Sequence, residues 1–130
     1  MADELIPEDI QQFILAKIDS VAELEGLLLL RGNPHTEWSV EALAQRLYTS
    51  RQQTSEVLAH LHAGGFLAAA GDPASAYRYH PATPKLGQMV ERVAEVYSKY
   101  LVSVTNLIHA KPKARAQKFA DAFKLRRGKD

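Results

Sequence analysis

Residues 38 to 80 of this 130-residue chain read WSVEALAQRLYTSRQQTSEVLAHLHAGGFLAAAGDPASAYRYH. Two short helical patterns, separated by the polar pair Thr49-Ser50, lead to a Gly64-Gly65 stop. Two strand-like runs follow, joined by a turn of about five residues that begins Gly-Asp-Pro. This order predicts helix, turn, helix and hairpin.

Short polar residues mark the helix starts within this stretch. Ser39 is a suitable N-cap for a helix over residues 40–48, and Ser50 forms a capping box with Gln53 that opens a helix to about residue 63. The strand patterns then cover residues 66–70 and 76–80.

Two helices are predicted before this stretch. Pro7 opens the first, whose apolar residues recur at helical spacing as far as Ile18. Ser20 and Glu23 form a capping box for the second, which runs to about Arg31 before Gly-Asn-Pro ends it.

One long helix is predicted after the hairpin, over residues 85–109, with Thr83 as its N-cap. Its apolar and aromatic residues repeat in alternating steps of four and three for three heptads. We call these seven residues the helical seam: Leu86, Val90, Val93, Tyr97, Tyr100, Val104 and Leu107. Such a repeat is typical of a helix that lies along a partner helix or in a coiled coil.

Composition is that of a globular protein, with 46% apolar and 24% charged residues. The absence of cysteine excludes disulfides and thiolate zinc sites. The first ten residues, MADELIPEDI, lack the pattern of a signal peptide, and the longest strongly apolar run covers only residues 27–30. We therefore expect a soluble cytoplasmic protein without a membrane partner.

Charge is distributed unevenly along the chain. Residues 1–50 hold nine acidic and three basic side chains, whereas residues 111–130 hold two acidic and eight basic ones. The basic tail is expected to attract a polyanion, which could be nucleic acid, an acidic protein surface or, as a weaker alternative, an anionic membrane. It could equally meet the acidic N-terminal region of its own chain or of a second subunit.

The central part of the chain resembles the winged helix-turn-helix superfamily, especially bacterial regulators of the MarR-like kind. The resemblance rests on four segments, in which the third helix turns sharply into the first wing strand: SVAELEGLLLLRGN, WSVEALAQRLYTS, RQQTSEVLAHLHAGGFL and YRYHP. It implies a mainly α fold with a small β-hairpin wing, followed by a long C-terminal helix.

The same resemblance divides the chain into four parts. They are an N-terminal accessory helix (1–19), the winged helix-turn-helix domain (20–82), the long C-terminal helix for dimerisation or packing (83–110) and a basic amphipathic tail (111–130). A homodimer through the 85–109 helix is implied by the same analogy.

In this superfamily the third helix enters the major groove of double-stranded DNA and the wing contacts the backbone or minor groove. The resemblance therefore implies a DNA-binding transcriptional regulator. The expected DNA contacts are Ser50, Arg51, Gln52, Gln53, Ser55 and Arg78.

Charge on this expected DNA face is low, which leaves an alternative open. The third helix carries Arg51 as its only permanent cation, with Glu56 near the centre of its exposed face, although phosphate neutralisation dominates DNA affinity. The alternative is a winged-helix adaptor that binds a protein and not DNA, with the tail docking on that partner. The tail residues expected to contact a partner or DNA are Lys118, Phe119, Phe123, Arg126 and Arg127.

Catalytic and metal-binding patterns are weak. Of the five histidines, His60 and His62 are two apart on a helix and point in different directions, and no carboxylate stands at a convincing ligand spacing. Neither a Gly-rich phosphate loop nor a nucleophile elbow is present. The sequence therefore predicts no enzyme activity, no metal site and no cofactor.

Overall fold

Six helices and one two-stranded antiparallel sheet make up the part of the chain that the computed structural model describes, residues 6–71 and 74–111. The predicted class, mainly α with a small hairpin, is confirmed. No helix of this part is long and apolar enough to cross a membrane. The elements are α1 (Glu8–Lys17), α2 (Val21–Gly32), α3 (Val40–Leu47), α4 (Arg51–Ala63), β1 (Leu67–Ala70), β2 (Ala76–Tyr79), α5 (Pro84–Lys99) and α6 (residues 101–111).

The predicted N-caps are confirmed. In four helices a short hydroxyl side chain accepts a hydrogen bond from the backbone N–H three residues later, which satisfies one of the unpaired donors of the first turn. The capping residues of α2, α3, α4 and α5 are Ser20, Ser39, Ser50 and Thr83.

The core lies between α1, α2, α4 and the C-terminal helices. The apolar stripe of α1 is fully buried at Ile10, Ile14 and Ile18. Phe13, at the edge of this stripe, meets the buried ring of Phe66 edge-on, with 6.2 Å between the ring centroids. These contacts attach the accessory helix to the junction between α4 and the hairpin, so α1 is an integral part of the core.

The turn from α4 into β1 requires a glycine. Gly65 has φ of +87°, and its N–H donates to the His62 carbonyl while the N–H of Phe66 donates to Leu61. This pair of hydrogen bonds is a Schellman motif, which ends a helix with one left-handed residue. It directs the chain into the hairpin immediately after α4.

The hairpin is extended by a third short segment. Its register pairs Leu67 with Tyr79 and Ala68 with Arg78. Trp38 joins the hairpin through two backbone hydrogen bonds to Tyr77, of 2.7 and 2.9 Å. This bridge ties the start of α3 to β2.

The prediction of one continuous helix over residues 85–109 is wrong. Tyr100, with φ of −130° and ψ of 51°, separates α5 from α6. Residues of the helical seam on both sides of the break, including Val93 and Val104, are buried in the chain's own core. The apolar repeat therefore gives no sign of the break, because α5 and α6 both turn residues of the helical seam toward the core. Leu101 and Val102, just after the break, are exposed.

Polar contacts fix α5 against α2. The guanidinium of Arg31 makes two hydrogen bonds to the Glu91 carboxylate, of 2.6 and 2.7 Å, and thereby holds the pKa of Glu91 below its usual value. The Tyr97 hydroxyl donates to Glu25 over 2.6 Å, and burial together with this acceptor raises the pKa of Tyr97 to about 12.

Lys111, assigned from the sequence to the basic tail, instead belongs to α6 and is buried. Its ammonium group donates to the Ile18 carbonyl over 2.7 Å and to an Asp19 carboxylate oxygen over 2.6 Å. A contact between the basic C-terminal segment and the acidic N-terminal region is thus confirmed at this residue. The predicted tail contacts, Lys118, Phe119, Phe123, Arg126 and Arg127, lie outside the described residues.

Candidate functional site

The turn between α3 and α4 is held by hydroxyl hydrogen bonds. The hydroxyls of Thr49 and the fully buried Thr54 lie 2.6 Å apart, and Thr54 also donates to the Ser50 carbonyl over 2.8 Å. Tyr48 adopts the left-handed conformation that closes α3, and its side chain is 95% exposed. The turn is therefore internally satisfied while it presents an aromatic ring to solvent.

The N-terminus of α4 is suited to an anion. The Ser50 hydroxyl caps the Gln53 N–H over 3.0 Å. The N–H groups of the first helical residues, Arg51 and Gln52, have no acceptor within the helix because of their position. Together with the positive end of the helix dipole, they form a site of the kind that holds a phosphate.

The exposed residues of α4 form two separate stripes. The first, which we call the outer stripe, recurs every three or four residues: Gln52, Ser55, Ala59 and His62. The second lines a cleft against the α1–α2 junction and consists of Gln53, Glu56 and His60, beside the buried Val57, which also lines the cleft. Gln53, expected from the sequence to contact DNA beside Gln52, therefore lies on the cleft side.

Arg51 is engaged in an ion pair that sequence reasoning did not foresee. Its guanidinium lies 2.6 Å from a carboxylate oxygen of Glu41 on α3, and both side chains are more than half exposed. Exposed pairs of this kind contribute about 0–1 kcal/mol. The pair reduces the net positive charge at the start of α4 but holds Arg51 only weakly.

Arg78 occupies the face of the hairpin away from Tyr77, because neighbouring strand residues alternate sides. It is exposed. The Tyr77 ring packs against His62 at the C-terminal end of α4, with 5.6 Å between ring centroids. This contact fixes the hairpin relative to α4, so Arg78 is carried on a rigid support.

The surface built by α3, α4 and the hairpin is nearly neutral. Its exposed arginines within the described residues are Arg46, Arg51 and Arg78, and Arg46 stacks over the Trp38 ring. Glu41 and Glu56 offset two of the three charges. This surface is therefore equipped for hydrogen bonding more than for electrostatic attraction.

A group of ionisable side chains meets in the cleft beside α4, which has a volume of about 310 Å³. His60 Nδ1 lies 2.7 Å from a carboxylate oxygen of Glu23, and His60 Nε2 lies 3.4 Å from a carboxylate oxygen of Asp19. The possible ligand atoms of these three residues all lie within 4.8 Å of one another. The cleft therefore brings together an imidazole and two carboxylates, which are among the ligand types of divalent metal ions.

The carboxylate of Glu23 is almost completely buried at the start of α2. Burial raises its pKa, and the hydrogen bond from His60 partly opposes this shift. The sequence spacing offered no carboxylate partner for His60, whereas the fold brings Asp19 and Glu23 next to it. Asp19 and Glu23 are about forty positions away in the chain, so no local pattern relates them to His60.

No family model matches the chain, and no curated protein matches it significantly.

Proposed function

We propose that the chain is a transcriptional regulator that binds double-stranded DNA as a winged helix-turn-helix protein, with α4 in the major groove. The observation that supports this best is the combination of an exposed polar stripe with the unpaired N–H groups at the start of the same helix. An anchored phosphate at that end would place the stripe along base edges.

Each exposed polar residue has a chemically suitable role in this proposal. Gln52 pairs with adenine through its amide, and Ser55 hydrogen bonds to a neighbouring base. Arg51 exchanges its weak ion pair with Glu41 for a phosphate or a guanine. Arg78 binds the backbone from the hairpin.

The proposed regulator is a homodimer. The seam residues that are buried in the chain's own core are not accessible to a second copy, so the contact between copies must use other residues. Leu101 and Val102 are 53% and 67% exposed at the start of α6, within the segment predicted to dimerise. Two exposed aliphatic side chains at a helix start offer an apolar contact between copies.

The experiment is a mobility-shift titration of a random-sequence duplex pool with the full chain, from about 50 to about 200 mM salt. Three exposed arginines predict a slope of about −3 per chain in log affinity against log salt. Replacing Arg51 with alanine should weaken binding by about five- to tenfold and make the slope less steep by about one.

Arg92→Ala is the matched control, since Arg92 also forms an exposed ion pair between helices, with Asp9 on α1. It should leave DNA binding unchanged. If no duplex is retarded at low salt, or if Arg51→Ala and Arg92→Ala behave alike, the proposal is wrong.

The second candidate function is a protein-binding adaptor. It is favoured by Tyr48, whose exposed ring lies beside a nearly neutral surface, because tyrosine is a common anchor residue at protein interfaces. Affinity purification with the full chain, a Tyr48→Ser variant and a chain ending at Lys111 distinguishes the two. Loss of one specific partner with the serine variant, without any DNA binding by the full chain, supports the adaptor.

A further inference from the structure

His60 is oriented by a buried carboxylate. The 2.7 Å contact between its Nδ1 and Glu23 is a short hydrogen bond, and the Glu23 side chain is only 4% exposed. Metal-bound histidines typically donate their second ring N–H to such a carboxylate, which fixes the tautomer and the ring plane. Here the arrangement leaves Nε2 directed toward Asp19 and the cleft.

Asp19 is oriented in the same way from the other side. One of its carboxylate oxygens accepts from the buried ammonium group of Lys111 over 2.6 Å. The other oxygen lies 3.4 Å from His60 Nε2. Two ligands of one tetrahedral zinc ion, each about 2.0–2.2 Å from it, lie roughly 3.3–3.5 Å apart, so this pair already has the required separation.

Glu23 and Glu56 are placed differently relative to an ion between His60 Nε2 and Asp19. The distance from Glu23 to His60 Nδ1 is too short for an ion between them, so Glu23 is an orienting group. Glu56 lies one helical turn before His60 and lines the same cleft. With Glu23 held by His60, Glu56 is the remaining carboxylate besides Asp19 among the described residues that line the cleft.

We propose that this cleft binds a divalent transition-metal ion through His60 Nε2, an Asp19 carboxylate oxygen and the Glu56 carboxylate, with water completing the coordination. The ion would bridge the α1–α2 junction and α4. This site does not depend on the proposed DNA binding, because its ligands lie outside the outer stripe.

Charge and donor type both favour this class of ion. Among the described residues that line the cleft, Asp19, Glu23 and Glu56 are acidic, and a bound divalent ion would balance part of their negative charge. An imidazole ligand favours Zn²⁺, Cu²⁺ or Ni²⁺, whereas Mg²⁺ prefers all-oxygen sites.

The experiment uses the full chain, freed of metal by a chelator and titrated calorimetrically with ZnCl₂ alone. One ion per chain is expected. His60→Ala and Glu56→Gln should each weaken Zn²⁺ binding by at least about tenfold. His62→Ala, on the same helix but outside the cleft, and Glu37→Gln, at an exposed position, are the matched controls and should bind as the wild type does.

Three outcomes would overturn the proposal: no stoichiometric binding by the wild type, unchanged affinity in Glu56→Gln, or Mg²⁺ binding as tightly as Zn²⁺. Glu56 is exposed, so its substitution tests the site even if His60→Ala disturbs folding. The imidazole ¹⁵N resonances of His60 give a second readout, since Zn²⁺ should shift these signals and leave those of His62 in place.

Discussion

Lys111→Met tests whether the C-terminal end of α6 holds the α1–α2 junction in place. The substitution keeps an unbranched side chain of similar length but removes the ammonium group that binds Ile18 and Asp19. A buried carbonyl that loses its donor costs about 1–3 kcal/mol. Asp19 is 39% exposed and remains hydrated, so its lost ion pair adds at most about 1 kcal/mol.

The expected loss is therefore about 1–3 kcal/mol, since methionine fills most of the space of the lysine side chain and recovers part of the cost. In a chain of this size that corresponds to a fall of roughly 3–10 °C in Tm. Urea denaturation and thermal unfolding followed by circular dichroism measure both quantities.

Lys99→Met is the matched control. Lys99 also bonds a carboxylate, that of Glu95, but both side chains are more than 60% exposed. The control should change the free energy of unfolding by less than about 0.5 kcal/mol. If Lys111→Met costs no more than Lys99→Met, the buried contacts of Lys111 do not stabilise the fold.

Two further predictions concern stability. Arg31 holds the pKa of Glu91 below its unfolded value, so the stability contributed by this pair is present above the unfolded pKa and is lost as pH falls through the folded pKa. Urea curves should thus show the wild type more stable than Glu91→Gln by up to about 1 kcal/mol at neutral pH, and this difference should disappear as pH falls below the folded pKa of Glu91. A difference that stays constant from neutral to acidic pH would contradict this. Gly65→Ala should lower the free energy of unfolding by about 1–2 kcal/mol, because Gly65 has a left-handed backbone; the added Cβ itself has room. Gly32→Ala is the control and should leave the free energy of unfolding unchanged or raise it. Equal effects of the two substitutions would exclude backbone strain at Gly65.

Local chemistry accounts for the parts of the fold that the sequence predicted. Ser20 and Ser50 each accept a hydrogen bond from a backbone N–H three residues later, and Gly65 supplies a left-handed backbone conformation. These effects are local, so they can be predicted without knowing how distant segments pack. The break at Tyr100 escaped prediction because the apolar spacing continues unchanged on both sides of it.

The surroundings of the candidate site residues could not be predicted from the sequence, because they depend on how distant helices pack together. Helical spacing separates Gln52 from Gln53 on α4, but only the packing of the α1–α2 junction shows that Gln53 faces a cleft. His60 was correctly placed on a helix, yet its contact with Glu23 depends on how α2 and α4 pack. Lys111 was assigned to the basic tail, and its burial is visible only in the fold, since lysine side chains are mostly exposed.

Part of the uneven charge of the chain forms ion pairs within the described residues. Among the described residues, acidic side chains of the N-terminal half pair with basic ones that follow: Asp9 with Arg92, Asp19 with Lys111, and Glu41 with Arg51. Only the pair of Glu41 with Arg51 lies on the surface built by α3, α4 and the hairpin, where it reduces the positive charge on which DNA affinity would depend. The salt dependence of DNA binding therefore indicates which basic residues make the phosphate contacts. A slope near −3 would assign them to the arginines of α3, α4 and the hairpin, and a much steeper slope would assign them to the basic residues after Lys111.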